Sequence, residues 1–248
     1  MPVVHDARLT AYLTELGRRL QASPRAGNWP YQFQAINDKN INAFALPGGP
    51  IFINTATILA ADNEAQLAGV MAHEMSHVVL RHGTHEASKQ RFIQIPAILA
   101  SAAAGNSMLG QLAQLGIGLG ANSMLLRYSR DAEAQADYNG AQIMADAGYN
   151  PIEMARFFEK LQAGGGSGSE GRLAQFLSDH PTPGNRVKAV EQELQYIPQR
   201  QYSDDFTGQL ITVKGIVRKL PAPAIRTSQG LSDGSQWDVA AVRPSGQY

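Results

Sequence analysis

The feature that most constrains this chain is the run His73-Glu74-Met75-Ser76-His77, which lies inside the clearest helical pattern of the sequence. Apolar side chains recur at helical spacing over residues 63–82, where Asn63 can cap the first turn and Gly83 is expected to follow the C-terminus. Since residues four apart share one face of a helix, both imidazoles can reach a single metal ion. The pattern therefore predicts a metal site built into a helix.

Glu74 directly follows the first histidine, so its carboxylate is expected beside the metal and not on it. In that place a carboxylate can take a proton from a metal-bound water and pass it to a leaving amine. Imidazole is a good ligand for zinc, which lowers the pKa of a bound water to about 7. Nitrogen and oxygen ligands make one Zn²⁺ per chain the expected cofactor. These residue types at this spacing predict a hydrolase of amide bonds.

A third protein ligand is required, because two histidines leave the metal too open. In a second helical pattern at residues 129–147, Glu133 and Asp137 are four apart and share a face. Glu133 is the candidate ligand, and Asp137 can accept a hydrogen bond from the free ring nitrogen of a ligating histidine. Small residues around them favour close approach to another helix. We interpret His82 and His85 as exposed polar residues at a helix C-terminus.

The remaining pattern predicts an α+β fold that is mostly helical, with a small antiparallel sheet beside the motif helix. Strands are expected at 31–36, 41–46 and 50–53, the last two joined as a hairpin through Pro47-Gly48-Gly49. Pro50 has no backbone N–H, which favours an edge position for its strand. Further helices are expected over residues 6–22, 95–126 (as two helices), 151–163 and 183–194.

The length of 248 residues corresponds to one domain with a small appendage. We expect the main domain over residues 1–200 and a C-terminal extension over residues 201–248, packed on the domain or extended. Within the extension, residues 206–220 are compatible with a strand or a helix. Residues 95–126 are rich in apolar side chains, but Pro96, polar residues and glycines interrupt them, so no transmembrane span is predicted.

Composition excludes several classes of function. The 21 basic residues balance the 21 acidic ones, so general electrostatic capture of nucleic acid is not expected. The chain has no cysteine, which excludes disulfides, thiolate catalysis and cysteine-bound metal. Its first residues lack a basic segment followed by an apolar one, so we expect no leader peptide in this chain.

Four segments in the same order resemble the zinc metallopeptidases grouped with HtpX and the CAAX prenyl protease. They are NAFALPGGPIFINT at 42–55, HEMSHVVLRH at 73–82, SRDAEAQAD at 129–137 and SDHPTPGNR at 178–186. The resemblance covers about residues 5–195. It implies a gluzincin in which His73, His77 and Glu133 bind zinc. Glu74 is then the general base and acid, and Asp137 is the carboxylate that orients a ligating histidine.

The resemblance also gives roles to the last of these segments. His180 is expected near the zinc, where it either steadies the oxyanion or occupies the open coordination position in a resting form. Arg186 follows in the same segment and is expected to help hold the oxyanion. The similar exported bacterial members of the family indicate a periplasmic or otherwise exported protein, with its leader absent from this chain.

Together these expectations describe a zinc endopeptidase that cleaves unfolded or misassembled proteins with weak sequence preference. The polypeptide substrate is expected to lie extended along an edge strand near Ala43–Ile53. The alternative is a latent or chaperone-like metal-containing binding module with little turnover. A histidine from residues 178–183 fixed in the fourth coordination position would favour the latent form.

Overall fold

In the computed structural model, the described part of the chain comprises residues 3–85, 128–163, 176, 180, 186–196, 202 and 207–222. Its helices are α1 (Ala7–Gln21), α2 (Thr55–Ala60), α3 (Glu64–Val79), α4 (Arg130–Asp146), α5 (Ile152–Ala163), α6 (Arg186–Leu194) and α7 (Thr207–Val217). Its strands are β1 (Gln32–Ile36), β2 (Ala43–Ala45) and β3 (Pro50–Asn54). The predicted α+β fold, mostly helical with a small sheet, is confirmed. The two helices expected over residues 95–126 lie outside the described residues.

The sheet is mixed, with strand order β1-β3-β2. β2 and β3 form the predicted antiparallel hairpin, whereas β1 runs parallel to β3. The prediction of an antiparallel sheet was therefore wrong for β1. Residues 37–42 lead the chain to the outer position of β2, and β3 then returns to fill the place between β2 and β1, parallel to β1. The edge position expected from Pro50 was also wrong, since β3 is central. Pro50 is tolerated there as the first residue of the strand, where its carbonyl accepts a hydrogen bond from Leu46 N at 2.8 Å.

β2 is the edge strand of the hairpin, and it packs against α3. Asn54 N donates to Asn42 O at 3.0 Å, so this pair forms a hydrogen-bonded position of the antiparallel ladder. Since such positions alternate along a strand, Ala43 and Ala45 direct their backbone groups away from β3. The outer edge of β2 therefore offers backbone donors and acceptors beside α3.

α3 is the central helix of the fold, and its residues from Glu64 to Val78 are buried. Its N-terminus is capped as predicted, because Asn63 Oδ1 accepts from Gln66 N at 2.9 Å. Its C-terminus differs from the prediction: Arg81, and not Gly83, adopts the left-handed conformation, with φ of 57°. This left-handed residue directly follows Leu80, the C-cap of α3.

The N-terminus of α3 is tied to α1 by a buried polar cluster. The Glu64 carboxylate accepts hydrogen bonds from Tyr12 Oη at 2.9 Å, Tyr149 Oη at 2.8 Å and an Arg19 guanidinium nitrogen at 2.9 Å. A buried carboxylate is tolerated only when it is paired and hydrogen-bonded, and here three donors meet that requirement. The cluster fixes α1 and the end of α4 against the start of α3.

The segment 206–220, for which the sequence allowed a strand or a helix, contains helix α7. It packs on α1 and α2 and buries Leu210, Val213 and Val217. None of the helices in the described ranges has the length and apolar character needed to cross a bilayer.

Glycines allow α3 to approach two neighbouring helices closely. A Cβ at Gly69 would lie 2.6 Å from Met154 Cβ on α5, and a Cβ at Gly140 on α4 would lie 3.2 Å from His73 N. Both distances are shorter than ordinary van der Waals contact. The expected close approach of the second acidic helix to another helix is confirmed, and that helix is α3.

We predict that Gly69→Ala destabilises the protein, because the new methyl group overlaps the backbone of α5. Overpacking of this kind costs about 1–3 kcal/mol. The matched control is Gly215→Ala in α7, where a Cβ meets no atom of the described residues within 4 Å. That change should stabilise by up to about 1 kcal/mol, since alanine favours helix over glycine. Urea unfolding followed by circular dichroism measures both, and equal shifts for the two variants would contradict the packing argument.

Candidate active site

Four buried side chains from three parts of the chain meet beside α3. His73 and His77 lie four apart on one face of α3, Glu133 lies in the first turn of α4, and His180 follows α5 in sequence. One potential ligand atom from each of them lies within 4.8 Å of the others. The three ligands predicted from the sequence are thus brought together, with His180 as a fourth member of the group.

The separations of these atoms match a tetrahedral metal site. His73 Nε2 lies 3.0 Å from His77 Nε2, and the Glu133 carboxylate oxygens lie 3.3 Å and 3.4 Å from these two nitrogens. His180 Nδ1 lies 3.3 Å from His73 Nε2 and 3.1 Å from Glu133 Oε1. Zinc–nitrogen bonds of about 2.0–2.1 Å in a tetrahedron separate the ligand atoms by about 3.3 Å. The donor set therefore fits zinc in both chemistry and spacing.

Asp137 lies behind His73. Its Oδ1 is 2.9 Å from His73 Nδ1, so the ring N–H donates to the carboxylate and the Nε2 lone pair points into the cluster. Two imidazole nitrogens and a carboxylate then present lone pairs to one small buried space. A cation is the group that stabilises such an arrangement.

The charges around the cluster indicate the same preference for positive charge. Burial lowers the pKa of His73, but the carboxylates of Glu133 and Asp137 outweigh it and raise that pKa to about 9. Burial raises the pKa of Glu133, but the neighbouring His180 and His73 hold it well below its usual range. The first shift favours a positively charged His73 ring, and the second favours an ionised Glu133 carboxylate. Both shifts stabilise negative carboxylate oxygens that face positive charge.

Glu74 is fully buried beside the cluster and is not part of the ligand group. Neither of its carboxylate oxygens has a hydrogen-bond partner among the described residues, although His180 Nε2 lies 3.4 Å from Oε1. Burial raises the pKa of Glu74, while His180 and His73 oppose the shift. A buried carboxylate without hydrogen bonds is available to a water molecule or to a substrate group.

His180 connects the cluster to the edge strand. Its Nδ1 lies among the potential ligand atoms, while its Nε2 is 3.4 Å from Ala43 O on β2. Its ring stacks on Phe176, with centroids 4.9 Å apart. His180 thus contacts both the potential ligand atoms and the backbone of β2. Arg186 is the first residue of α6, and its side chain lies outside the described residues.

His82 is one of two site residues that the sequence interpretation missed. It was expected to be exposed, but it is 8% exposed, and its Nδ1 lies 2.9 Å from His77 Nδ1. The left-handed turn at Arg81 folds His82 back onto α3, which a helical-spacing argument does not foresee. Tyr128, also missed, stacks on His77 with centroids 3.8 Å apart. His85 is exposed, as predicted.

The described residues leave a cavity of about 880 Å³ next to the cluster. It lies between the β2–β3 turn, the end of α3 and the start of α4, and His77 forms part of its wall. Exposed apolar side chains at its rim include Leu46 and Leu80. Its volume can accommodate several residues of a peptide.

Comparison with known proteins relates this site to a family. The sequence profile of peptidase family M48 matches residues 7–194. The beta-barrel assembly-enhancing protease of Escherichia coli (strain K12) is 34% identical over 194 residues, which cover 75% of this chain and 39% of that protein. The chain therefore spans about two fifths of that relative.

Two further relatives cover similar parts of the chain. The mitochondrial metalloendopeptidase OMA1 of Schizosaccharomyces pombe is 30% identical over 201 residues, covering 81% of this chain and 56% of that protein. The metalloprotease LoiP of Escherichia coli (strain K12) is 28% identical over 189 residues, covering 75% and 69%. Since the family profile matches most of the sequence, the resemblance seen in its motifs is confirmed, and the chain belongs to peptidase family M48.

Proposed function

We propose that this protein is a zinc-dependent endopeptidase of the gluzincin type that hydrolyses peptide bonds in unfolded or misassembled proteins. The observation that carries the proposal is the convergence of His73, His77 and Glu133 beside the buried carboxylate of Glu74. Membership of peptidase family M48 supports the same reaction. The three converging residues are the proposed ligands of one Zn²⁺.

A zinc ion held by these residues would supply Lewis acidity and lower the pKa of a water molecule to about 7. Glu74 accepts the proton of the attacking water and delivers it to the leaving amine. Its two oxygens accept no hydrogen bond of ordinary geometry from the described residues. Burial raises the pKa of Glu74, while the nearby His180 ring and Ala45 backbone lower it and so favour the ionised form. Asp137 holds the His73 ring through the 2.9 Å contact to Nδ1 and so keeps Nε2 directed at the centre.

We propose the outer edge of β2 as the place where the substrate binds. Ala43 and Ala45 direct backbone groups away from β3, so an extended peptide can add a strand there. Backbone hydrogen bonds do not read side chains, which is consistent with weak sequence preference. The peptide would lie beside α3 and so bring its scissile bond to Glu74.

A latent resting form is the second candidate state, and His180 supports it. Its Nδ1 lies 3.3 Å from His73 Nε2, and its Nε2 lies 3.4 Å from Ala43 O. In this form one imidazole occupies both the fourth ligand position and a backbone acceptor of the substrate edge. In an open form, His180 would leave the fourth ligand position. Arg186 or, alternatively, His180 is then proposed to hold the oxyanion.

We propose a periplasmic or otherwise exported location, since the motifs resemble those of exported bacterial members of the family. A relative named for enhancing beta-barrel assembly is compatible with misassembled proteins as substrates. We assign catalysis to residues 1–200 and treat residues 201–248 as an extension of that domain.

Changing Glu74 to Gln should leave zinc bound and lower cleavage of casein by at least about 100-fold, the range expected for a general base. Casein is an unfolded substrate without a required sequence. Zinc content is measured by atomic absorption and cleavage by release of labelled peptides. Glu159→Gln, an exposed glutamate on α5, is the matched control. Cleavage by Glu74→Gln at the parent rate would refute the assignment of the base.

Asp137→Ala should weaken zinc binding about 10–100-fold, because the His73 ring loses the acceptor that fixes its orientation. Competition with a chromophoric chelator measures the affinity. Asp131→Ala removes an exposed carboxylate from the same helix and serves as the control. Equal affinities for the two variants would show that the contact to His73 has no influence on the metal.

His180→Ala separates the two roles of this residue. If His180 closes the resting form, the variant should bind zinc more weakly and cleave casein faster than the parent at equal zinc occupancy. If His180 stabilises the oxyanion, kcat should fall instead while KM changes little. Steady-state kinetics on a fluorogenic casein peptide distinguishes the outcomes, and a fall in kcat would contradict the resting form.

A further inference from the structure

We propose that His82 is a positioning residue that acts with Gln135 to set the ring tautomer of His77, so that His77 Nε2 is free to bind the metal. The inference rests on the proposed zinc site. It adds two consecutive hydrogen bonds, from His77 to His82 and from His82 to Gln135. It concerns which ring nitrogen carries the proton. His82 is not among the four residues whose potential ligand atoms converge.

The contacts run in one order from the surface to the cluster. His82 Nε2 lies 3.3 Å from Gln135 Oε1, and His82 Nδ1 lies 2.9 Å from His77 Nδ1. An amide oxygen only accepts hydrogen bonds, so His82 Nε2 must carry the proton and donate it. In a neutral imidazole the other nitrogen then holds a lone pair, so His82 Nδ1 accepts from His77 Nδ1–H. With its proton on Nδ1, His77 has an unprotonated Nε2, the form that binds a metal.

The fold brings the three side chains together through two features already described. The left-handed turn at Arg81 returns His82 to the side of α3 that carries His77. Gln135 lies on α4, two residues after Glu133, so the helix that supplies the carboxylate also supplies the amide. Tyr128 stacks on the His77 ring at an interplanar angle of 12°, which limits rotation of the ring plane.

The two histidines of the motif are therefore oriented by different groups. His73 is backed by the Asp137 carboxylate, whereas His77 is backed by a neutral imidazole. Glu74 and Glu133 already bring two carboxyl groups into the buried centre. A neutral partner for His77 sets its tautomer without adding another negative charge, which would be costly at a buried position.

The first test compares His82→Ala with His82→Asn, using Zn²⁺ as the probe and chelator competition as the measurement. Removal of the acceptor in His82→Ala should weaken zinc binding about 10–100-fold. An Asn side chain can place its amide oxygen where His82 Nδ1 lies, so His82→Asn should bind zinc within about threefold of the parent. His85→Ala, which removes an exposed histidine three residues away, should match the parent.

A second measurement needs no variant. In the zinc-loaded full chain labelled with ¹⁵N-histidine, NMR should show the proton of His77 on Nδ1 and the proton of His82 on Nε2. Circular dichroism of each metal-free variant shows whether it is folded before its affinity is interpreted. If His82→Ala does not fold, the parent NMR spectrum and His82→Asn decide the question.

Three results would overturn the inference: parent-like zinc affinity in folded His82→Ala, equal losses in His82→Ala and His82→Asn, or a proton on Nδ1 of His82. Failure of the parent to bind zinc at all would refute the proposed function together with this inference. By contrast, parent zinc binding and loss of cleavage in Glu74→Gln, combined with parent-like affinity in His82→Ala, would refute only the positioning role.

Discussion

The close contact between α3 and α4 is the constraint on which the rest of the site depends. At Gly140 a Cβ would lie 3.2 Å from His73 N, and with the two helices this close the Glu133 carboxylate lies 3.3–3.4 Å from the ring nitrogens of His73 and His77. Several lone pairs thereby face one buried space, which requires either a cation or protons on the rings. Because Asp137 and Gln135 lie on the same helix as Glu133, one packing interface positions a proposed ligand and the partners proposed to orient the other two.

The parts of the site that follow from local geometry could be predicted from the sequence. His73 and His77 share a face because they are four apart, and Glu133 and Asp137 do so for the same reason. Each pair needs only a straight helix to be placed correctly. That the two faces meet each other was expected from the family resemblance and from the small residues of α4.

The parts that depend on non-local geometry could not be predicted. Strand order was one, because nothing in residues 37–42 indicates that the chain passes β1 and leaves room for β3 between β1 and β2. Pro50 pointed to an edge strand, although the first position of a central strand accommodates a missing N–H equally well. His82 was missed because a left-handed conformation at a non-glycine residue, Arg81, is uncommon, and the five-residue step from His77 does not fit one helical face.

In the proposed resting form, His180 couples access to the metal with access to the substrate edge. Its two ring nitrogens point to different parts of the site: Nδ1 lies 3.1 Å from Glu133 Oε1 and Nε2 lies 3.4 Å from Ala43 O. An imidazole ring is rigid, so a rotation that moves one nitrogen away from its contact also moves the other nitrogen. An extended peptide whose N–H binds the Ala43 carbonyl would approach the oxygen that His180 Nε2 also approaches, and so would meet the ring of the proposed resting form. In the proposed resting form, binding of a chain along β2 and opening of the fourth ligand position are therefore expected to be coupled through His180.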